Sequence, residues 1–281
     1  MILHGTIAGF REWREAQSGR VVFVPTMGAL HEGHLQLMRD ARRIAGDQGR
    51  VVVSIFVNPL QFGPQEDFSK YPREFEEDAA KCQSVGVDAI FAPTAEEMYP
   101  PDRSIIVLET KLSKVLCGAS RPGHFDGVCT VVLKLFNIVQ AHTAVFGKKD
   151  YQQLAIIKRM VRDLNVPVVI IGSETVRESD GLAMSSRNRY LNDEERGQAP
   201  VIRRALLLMR ERWSQEGHQA AALESLFKEQ LQAHAPLHRL DYIQCVNRHN
   251  LEPQLTVTGE GLFAAAVFFS GTRLIDNLEV N

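Results

Sequence analysis

Little in this chain points towards a membrane, a nucleic acid or a redox centre. Its apolar runs fall far short of the roughly 20 residues that a membrane-spanning helix needs. Residues 1–14 lack the apolar stretch of a secretion signal. Lysine and arginine total 32 against 34 aspartates and glutamates, a formal net charge of −2. That balance excludes the broad basic face on which nucleic-acid binding depends. The four cysteines, Cys82, Cys117, Cys129 and Cys245, are scattered, with no C-x-x-C pair. They read as reduced thiols of a cytoplasmic protein, mostly packing residues. No internal repeat, low-complexity segment or nucleophile–base pattern stands out. What remains is a globular composition, 44% hydrophobic and 23% charged over 281 residues. That is enough for one large or two ordinary domains with a real core.

One stretch organises the rest. Val21-Val22-Phe23-Val24 is a β-branched apolar run and predicts a buried strand. Pro25, Thr26 and Gly28 break it into a turn. After Gly33 the apolar residues Leu35, Leu37, Met38, Ala41, Ile44 and Ala45 predict a helix over 34–46. A strand, a glycine-bearing loop and a helix present a helix N-terminus, whose open N–H groups and dipole attract an anion. His31 and His34 stand three residues apart there, on one side of the first turn. Two imidazoles at that spot are placed to hold and neutralise nucleotide phosphates. Idle surface histidines are the plainer alternative, and the paired glycines Gly28 and Gly33 weigh against it. A zinc-protease helix is the other, but His31-Glu32-Gly33-His34 is one residue short of H-E-x-x-H.

The same logic recurs along the chain. A strand over Val51–Val57 ends at Asn58-Pro59. The loop Leu60-Gln61-Phe62-Gly63-Pro64 then lies at the sheet edge where α/β proteins bind ligands. Gln61 is either a substrate-reading amide or a solvated loop residue. A charged helix over 73–84 and a strand over Asp88–Ala92 follow, with a further extended piece at Ser104–Glu109. Arg121 to Gly127 form a glycine-flanked loop before a helix over 128–140. Arg121 and His124 there either touch a ligand or belong to a capping loop. The short strand Ala144–Phe146 runs into Gly147-Lys148-Lys149-Asp150 and a helix over Tyr151–Asn165. Cations at a helix N-terminus oppose its dipole, so an anionic ligand is implied. Gln152 or Gln153, in the first turn, should face the loop.

A strand over Val166–Ile171 leads into a polar linker, Gly172–Asp180. In Leu182 to Asn188, the hydroxyls of Ser185 and Ser186 and the guanidinium of Arg187 offer several phosphate donors in a row. Helices over about 200–215 and 219–233 follow, then strands at Tyr242–Val246, Leu262–Phe269 and Arg273–Leu278. The alternation over 20–172 predicts an α/β fold, a Rossmann-like doubly wound parallel sheet. It would occupy residues 1–175, with a smaller α+β domain over 176–281.

Six blocks of the chain carry a family resemblance. They are Pro25 to His34 (PTMGALHEGH), Phe56 to Phe62 (FVNPLQF), Arg121 to Phe125 (RPGHF), Asp150 to Leu154 (DYQQL), Asp180 to Asn188 (DGLAMSSRN) and Thr272 to Asn277 (TRLIDN). In this order and spacing the chain resembles the pantothenate synthetase (pantoate–β-alanine ligase) family. The resemblance implies an adenylate-forming enzyme of the nucleotidyltransferase superfamily whose hallmark is a His-x-Gly-His loop. Pantoate and ATP would give pantoyl adenylate and pyrophosphate, and β-alanine would then displace AMP. It implies that Met27, Gly28, Ala29, Leu30, His31, Glu32, Gly33 and His34 line ATP, with His34 as the assigned catalytic histidine and His31 its companion. Gln61 and Gln153 would grip pantoate. Gly147, Lys148, Lys149 and Asp150 would hold the nucleotide, with Lys149 reaching the phosphates. Val176 would contact adenine, and Met184, Ser185, Ser186 and Arg187 would close over the phosphates. Mg²⁺ is expected on the phosphates, with no direct protein ligands assigned. The second domain is expected to act as a lid, and the enzyme to be a cytoplasmic homodimer with no nucleic-acid or membrane partner. One departure is Lys148, where the family commonly has an acidic residue. Three alternatives stay open: a nucleotidyltransferase acting on a phosphorylated vitamin precursor, a fragment of an aminoacyl-tRNA synthetase, and a nucleotide-sensing module without turnover.

Overall fold

The computed structural model describes residues 1–63, 68–216 and 219–280. Pro64, the last residue of the loop after the second predicted strand, lies outside them. In chain order the strands and α-helices are β1 (Ile2–His4), α1 (Ile7–Glu15), β2 (Val21–Thr26), α2 (Glu32–Ala45), β3 (Arg50–Ile55), α3 (Phe75–Ser84), β4 (Ala89–Phe91) and α4 (Ala95–Met98). Next come α5 (Cys117–Ser120), α6 (His124–Val139), β5 (Thr143–Gly147), α7 (Tyr151–Asp163) and β6 (Val169–Ser173). The remainder is α8 (Asp193–Gln198), α9 (Val201–Glu216), α10 (Ala220–His234), β7 (His238–Asn247), β8 (Gly261–Phe269) and β9 (Thr272–Glu279).

The chain divides into two compact units. The first is Met1–Thr110, Arg121–Lys148 and Ile156–Glu174; the second is Lys111–Ser120, Lys149–Ala155 and Thr175–Asn281. A single boundary at 175/176 therefore does not describe the division. Specific bonds tie the two early segments to their unit. Gln152 Nε2 donates to the carbonyls of Leu112 and Val115 at 2.7 and 2.6 Å. Tyr151 Oη donates to Glu279 at 3.0 Å, and Asn277 Nδ2 donates to the Lys149 carbonyl at 2.9 Å.

In the first unit six strands form one sheet in the order β1-β4-β3-β2-β5-β6, with every ladder parallel. Val21 to Val24 are fully buried, as a strand covered on both faces requires. β2 has β3 on one side and β5 on the other, so the strand order reverses at β2/β5. The β2–β3 ladder runs to Thr26 and Ile55, and β5–β6 runs to Gly147 and Ser173. The β2–β5 ladder stops at Phe23 and Ala144. Pro25, which has no N–H to give, lies just beyond that point. The two strands part there, and the carboxyl ends of strands at such a reversal of order are the usual ligand position in open α/β sheets.

Several boundaries differ from expectation, each for a local reason. β1 was not foreseen, because three residues show no period; it pairs parallel with β4. Ser104–Glu109 forms no strand. Val107 N instead donates to Thr130 Oγ1 in α6, at 2.9 Å. β6 starts after Pro167 and includes Gly172 and Ser173, which the linker was expected to hold. Both α2 and α6 begin earlier than their apolar periodicity, at Glu32 and His124.

The second unit contains the antiparallel sheet β7-β8-β9. Its core draws on α9, α10 and the sheet through Leu206, Met209, Phe227, Phe263 and Phe269. α8 begins at a capping box in which Asn192 and Glu195 each accept the other's backbone N–H. Among the described residues no helix is long and apolar enough to cross a membrane.

Candidate active site

The loop after β2 is held by side chains at every step. Thr26 Oγ1 donates to the Ser54 carbonyl at 2.7 Å and accepts from Gly28 N at 3.3 Å. Gly28 (φ +80) and Ala29 (φ +50) turn the backbone through the left-handed region. A Cβ on Gly28 would lie 2.9 Å from Asp78 Oδ2. That carboxylate comes from α3, is 1% exposed, and accepts from Ala29 N at 2.8 Å and Leu30 N at 2.7 Å. Burial pushes the Asp78 carboxyl up from its ordinary value, against the opposing pull of the two amides and Lys81.

The α2 N-terminus is not bare, which corrects the expectation of open amides facing an anion. His31 is the N-cap, and its Nδ1 accepts from Gly33 N at 3.1 Å. His34 closes the capping box: its Nδ1 accepts from His31 N at 3.3 Å. The ring centroids are 4.1 Å apart. An Nδ1 that accepts a hydrogen bond carries no proton. The neutral form of each ring is thereby fixed with its proton on Nε2, as a donor. Sequence spacing placed both rings on one turn, and the structure adds that Nδ1 of each ring accepts a backbone N–H. Glu32 turns to Arg39 on the exposed side of α2, and that bond lowers its carboxyl below the ordinary value.

Gln61 is 9% exposed, so it is not a solvated loop residue. It ends a 3₁₀ turn, Pro59–Gln61, capped by Asn58. Asn58 Nδ2 donates to Gln61 Oε1 at 3.1 Å and to the Gly127 carbonyl at 3.0 Å. Asn58 Oδ1 accepts from Tyr99 Oη at 2.8 Å. This fixes the Gln61 amide with Nε2 directed at Met27 Sδ, 2.7 Å away. The backbone of Gln61 is held too. His124 Nδ1 donates to its carbonyl at 2.8 Å, and Arg121 Nη1 donates to His124 Nε2 at 3.1 Å. Arg121 and His124 therefore support the Gln61 turn from the start of α6. At the end of β5, Gly147 is followed by Lys148, whose Nζ pairs with Glu174 at 2.6 Å.

The first unit thus gathers Met27 to His34 with Gln61, and places Gly147 and Lys148 at the neighbouring strand end. The other predicted residues belong to the second unit. Lys149, 3.9 Å from Asp150, has its carbonyl held by Asn277. Gln152 is buried and tied to the 112–115 carbonyls, so Gln153 is the half-buried member of that pair. Val176 accepts from Met184 N at 3.0 Å, and Arg177 bridges to Ala183 in a short antiparallel pairing. Arg177 is held by Asp276, at 2.7 and 2.9 Å. Arg196 pairs with Glu178 and Asp180, and Asn188 donates to Glu178. Ser185 caps the 3₁₀ turn Ser186–Tyr190 by accepting from Arg187 N at 3.2 Å. Sequence reasoning missed Asp78, and it gave no site role to Asn58 or Asp276, which it held only as members of the resemblance blocks. Asn58 carried a signal, an Asn before Pro at a strand end, but Asp78 was hidden among the acidic residues of a helix that read only as charged.

A family model described as pantoate-beta-alanine ligase matches residues 3–279. The chain belongs to the pantoate–β-alanine ligase family. Curated members resemble it over nearly their whole length. The pantothenate synthetase of Akkermansia muciniphila is 53% identical over 92% of each chain, and that of Moorella thermoacetica is 50% identical over 100% of each. The crystal structure of pantothenate synthetase from Thermus thermophilus superposes with a TM-score of 0.92, at 49% identity and 99% coverage of both chains. The Francisella tularensis pantoate–β-alanine ligase, solved with beta-gamma ATP and β-alanine, has a TM-score of 0.81, 32% identity, and coverage of 99% of this chain and 97% of that one. As a ligase of this family, the protein has a doubly wound parallel sheet with a smaller C-terminal α+β part.

Proposed function

We propose that the protein condenses (R)-pantoate with β-alanine at the expense of ATP, through pantoyl adenylate, releasing pyrophosphate and AMP. The pantoate carboxylate attacks the α-phosphorus and pyrophosphate leaves. The β-alanine amine, having lost a proton, then attacks the acyl carbon and AMP leaves. No covalent enzyme nucleophile is needed, since the adenylate itself activates the carboxyl carbon.

The observation that carries this reading is the pair of imidazoles at the α2 N-cap, beside the parting of β2 and β5. Attack of an anion on a polyphosphate is limited by charge and orientation, so donors fixed in advance are what catalysis requires. His31 and His34 supply two Nε2 donors. We assign the phosphates also to Lys149, Ser185, Ser186 and Arg187, and the nucleotide to the Met27–His34 loop, Gly147 to Asp150, Val176 and Met184. Gln61 and Gln153 take pantoate, Gln61 through an amide already oriented by Asn58.

Among the described residues no group of three His, Cys, Asp or Glu side chains could hold a metal ion. Mg²⁺, which favours phosphate and water oxygens, would be carried on the triphosphate and would offset its charge. We also assign a homodimer, which the family resemblance supports, and a cytoplasmic location, which four buried free thiols support.

Pantoate-dependent exchange of labelled pyrophosphate into ATP tests the first half-reaction. Exchange without pantoate, or none at all, refutes it. Appearance of AMP on adding β-alanine tests the second; AMP retained on the product would favour a nucleotidyltransferase instead.

A further inference from the structure

Among the first-turn acidic residues of α3, Glu76 and Glu77 are exposed, while Asp78 is buried. A carboxylate is costly to bury unless its oxygens are hydrogen-bonded. Here the two oxygens take the consecutive amides of Ala29 and Leu30, at 2.8 and 2.7 Å. One turn later Lys81 Nζ donates to the Leu30 carbonyl at 2.9 Å. The segment so held has left-handed backbone at Gly28 and at Ala29, and the latter has a Cβ that disfavours it. The next residue is His31, whose ring caps α2 and accepts from Gly33.

We infer that Asp78, assisted by Lys81, is a positioning residue for the reaction: it locks Ala29 and Leu30 so that His31 and His34 hold their Nδ1-accepting, Nε2-donating arrangement. Asp78 touches no reacting atom. Its effect passes through the loop, and the inference rests on the reading of Met27 to His34 as the nucleotide loop. Asn in place of Asp78 keeps the shape but leaves one amide facing an NH₂ group.

The test compares wild type, Asp78→Asn, Lys81→Gln and His34→Ala, by amide hydrogen exchange, by imidazole ¹⁵N spectra, and by pantoate-dependent pyrophosphate exchange. In the wild type the Ala29 and Leu30 amides are expected to be protected and both rings to show the Nε2–H pattern. In folded Asp78→Asn that protection is lost, the ring spectra move towards mixed tautomers, and the exchange kcat falls roughly 100-fold, more than KM changes. Lys81→Gln, which leaves the carboxylate in place, shifts all three readouts the same way by less, and it decides the matter if Asp78→Asn does not fold. Wild-type kcat and ring spectra in the folded variant, with His34→Ala inactive, would overturn the positioning role alone. Full turnover in His34→Ala would overturn the loop reading, and this inference with it.

Discussion

His34 accepts the backbone N–H of His31 at Nδ1, 3.3 Å away, and the two rings lie 4.1 Å apart. Nδ1 of this ring therefore serves the fold, while the proposed chemistry uses Nε2, so the two can be separated by mutation. Asparagine at this position offers an oxygen where Nδ1 sits and nothing where Nε2 sits. His34→Asn should stay within about 1 kcal/mol of wild type in urea unfolding, because the cap survives. Its pyrophosphate exchange should fall at least roughly 100-fold, as for loss of one fixed donor to a developing charge. A stable and active His34→Asn would remove His34 from the reaction.

Arg187 follows Ser185, the cap of its own 3₁₀ turn. Its guanidinium is assigned to the triphosphate, so it should matter while pyrophosphate is leaving and little afterwards. Arg187→Ala should slow adenylate formation by roughly 100-fold. Attack of β-alanine on preformed pantoyl adenylate should be far less affected. Stopped single-turnover assays of each half-reaction measure this, and equal losses in both count against the assignment.

Gly127 is where α6 meets the Gln61 turn. A Cβ there would lie 2.2 Å from the Leu60 carbonyl oxygen and 2.6 Å from Gln61 N, both backbone atoms. Gly127→Ala should therefore displace Gln61 and break the Asn58 bond to the Gly127 carbonyl. The expected cost is about 1–3 kcal/mol in urea unfolding. A rise in the KM for pantoate should exceed that for ATP, measured on the same preparation.

Asp276 is 4% exposed and holds Arg177 with both oxygens. Arg203 is also near, its guanidinium lowered from its ordinary value by burial and by Arg177, against the opposing pull of Asp276. Asp276→Ala would leave two cations facing each other without their counter-charge. The loss should be about 3 kcal/mol or more, since one partner of a buried pair is removed. Asp276→Asn should recover part of it, by keeping a hydrogen-bond acceptor. Urea midpoints at constant slope report the difference.

The parallel sheet was legible because β2, β3 and β5 are apolar runs followed by Gly or Pro, and because helical periodicity fills the gaps between them. The antiparallel part was legible for the same reason in Leu262–Phe269. The paired histidines were visible as a spacing, but their tautomers were not, since those depend on backbone amides that a helix starting at Glu32 brings to Nδ1. Asp78 could not be distinguished from Glu76 or Glu77 by type, as only the docking of α3 buries one of them. Gln61 left two readings open until Asn58 and Met27 were seen on either side of its amide. β1 escaped because its order comes from pairing with β4, 87 residues away along the chain (Ile2 with Ala89), rather than from any local pattern.

The interrupted membership of the two units bears on attempts to divide the protein. A fragment starting at Thr175 would lack Lys111–Ser120 and Lys149–Ala155. Arg273 would lose its contact with Cys117, Glu279 its bond from Tyr151, and Asn277 the Lys149 carbonyl. Such a piece should be poorly ordered when expressed alone. Grafting both missing stretches back through short linkers, or circularly permuting the gene, is the route to a self-sufficient C-terminal half.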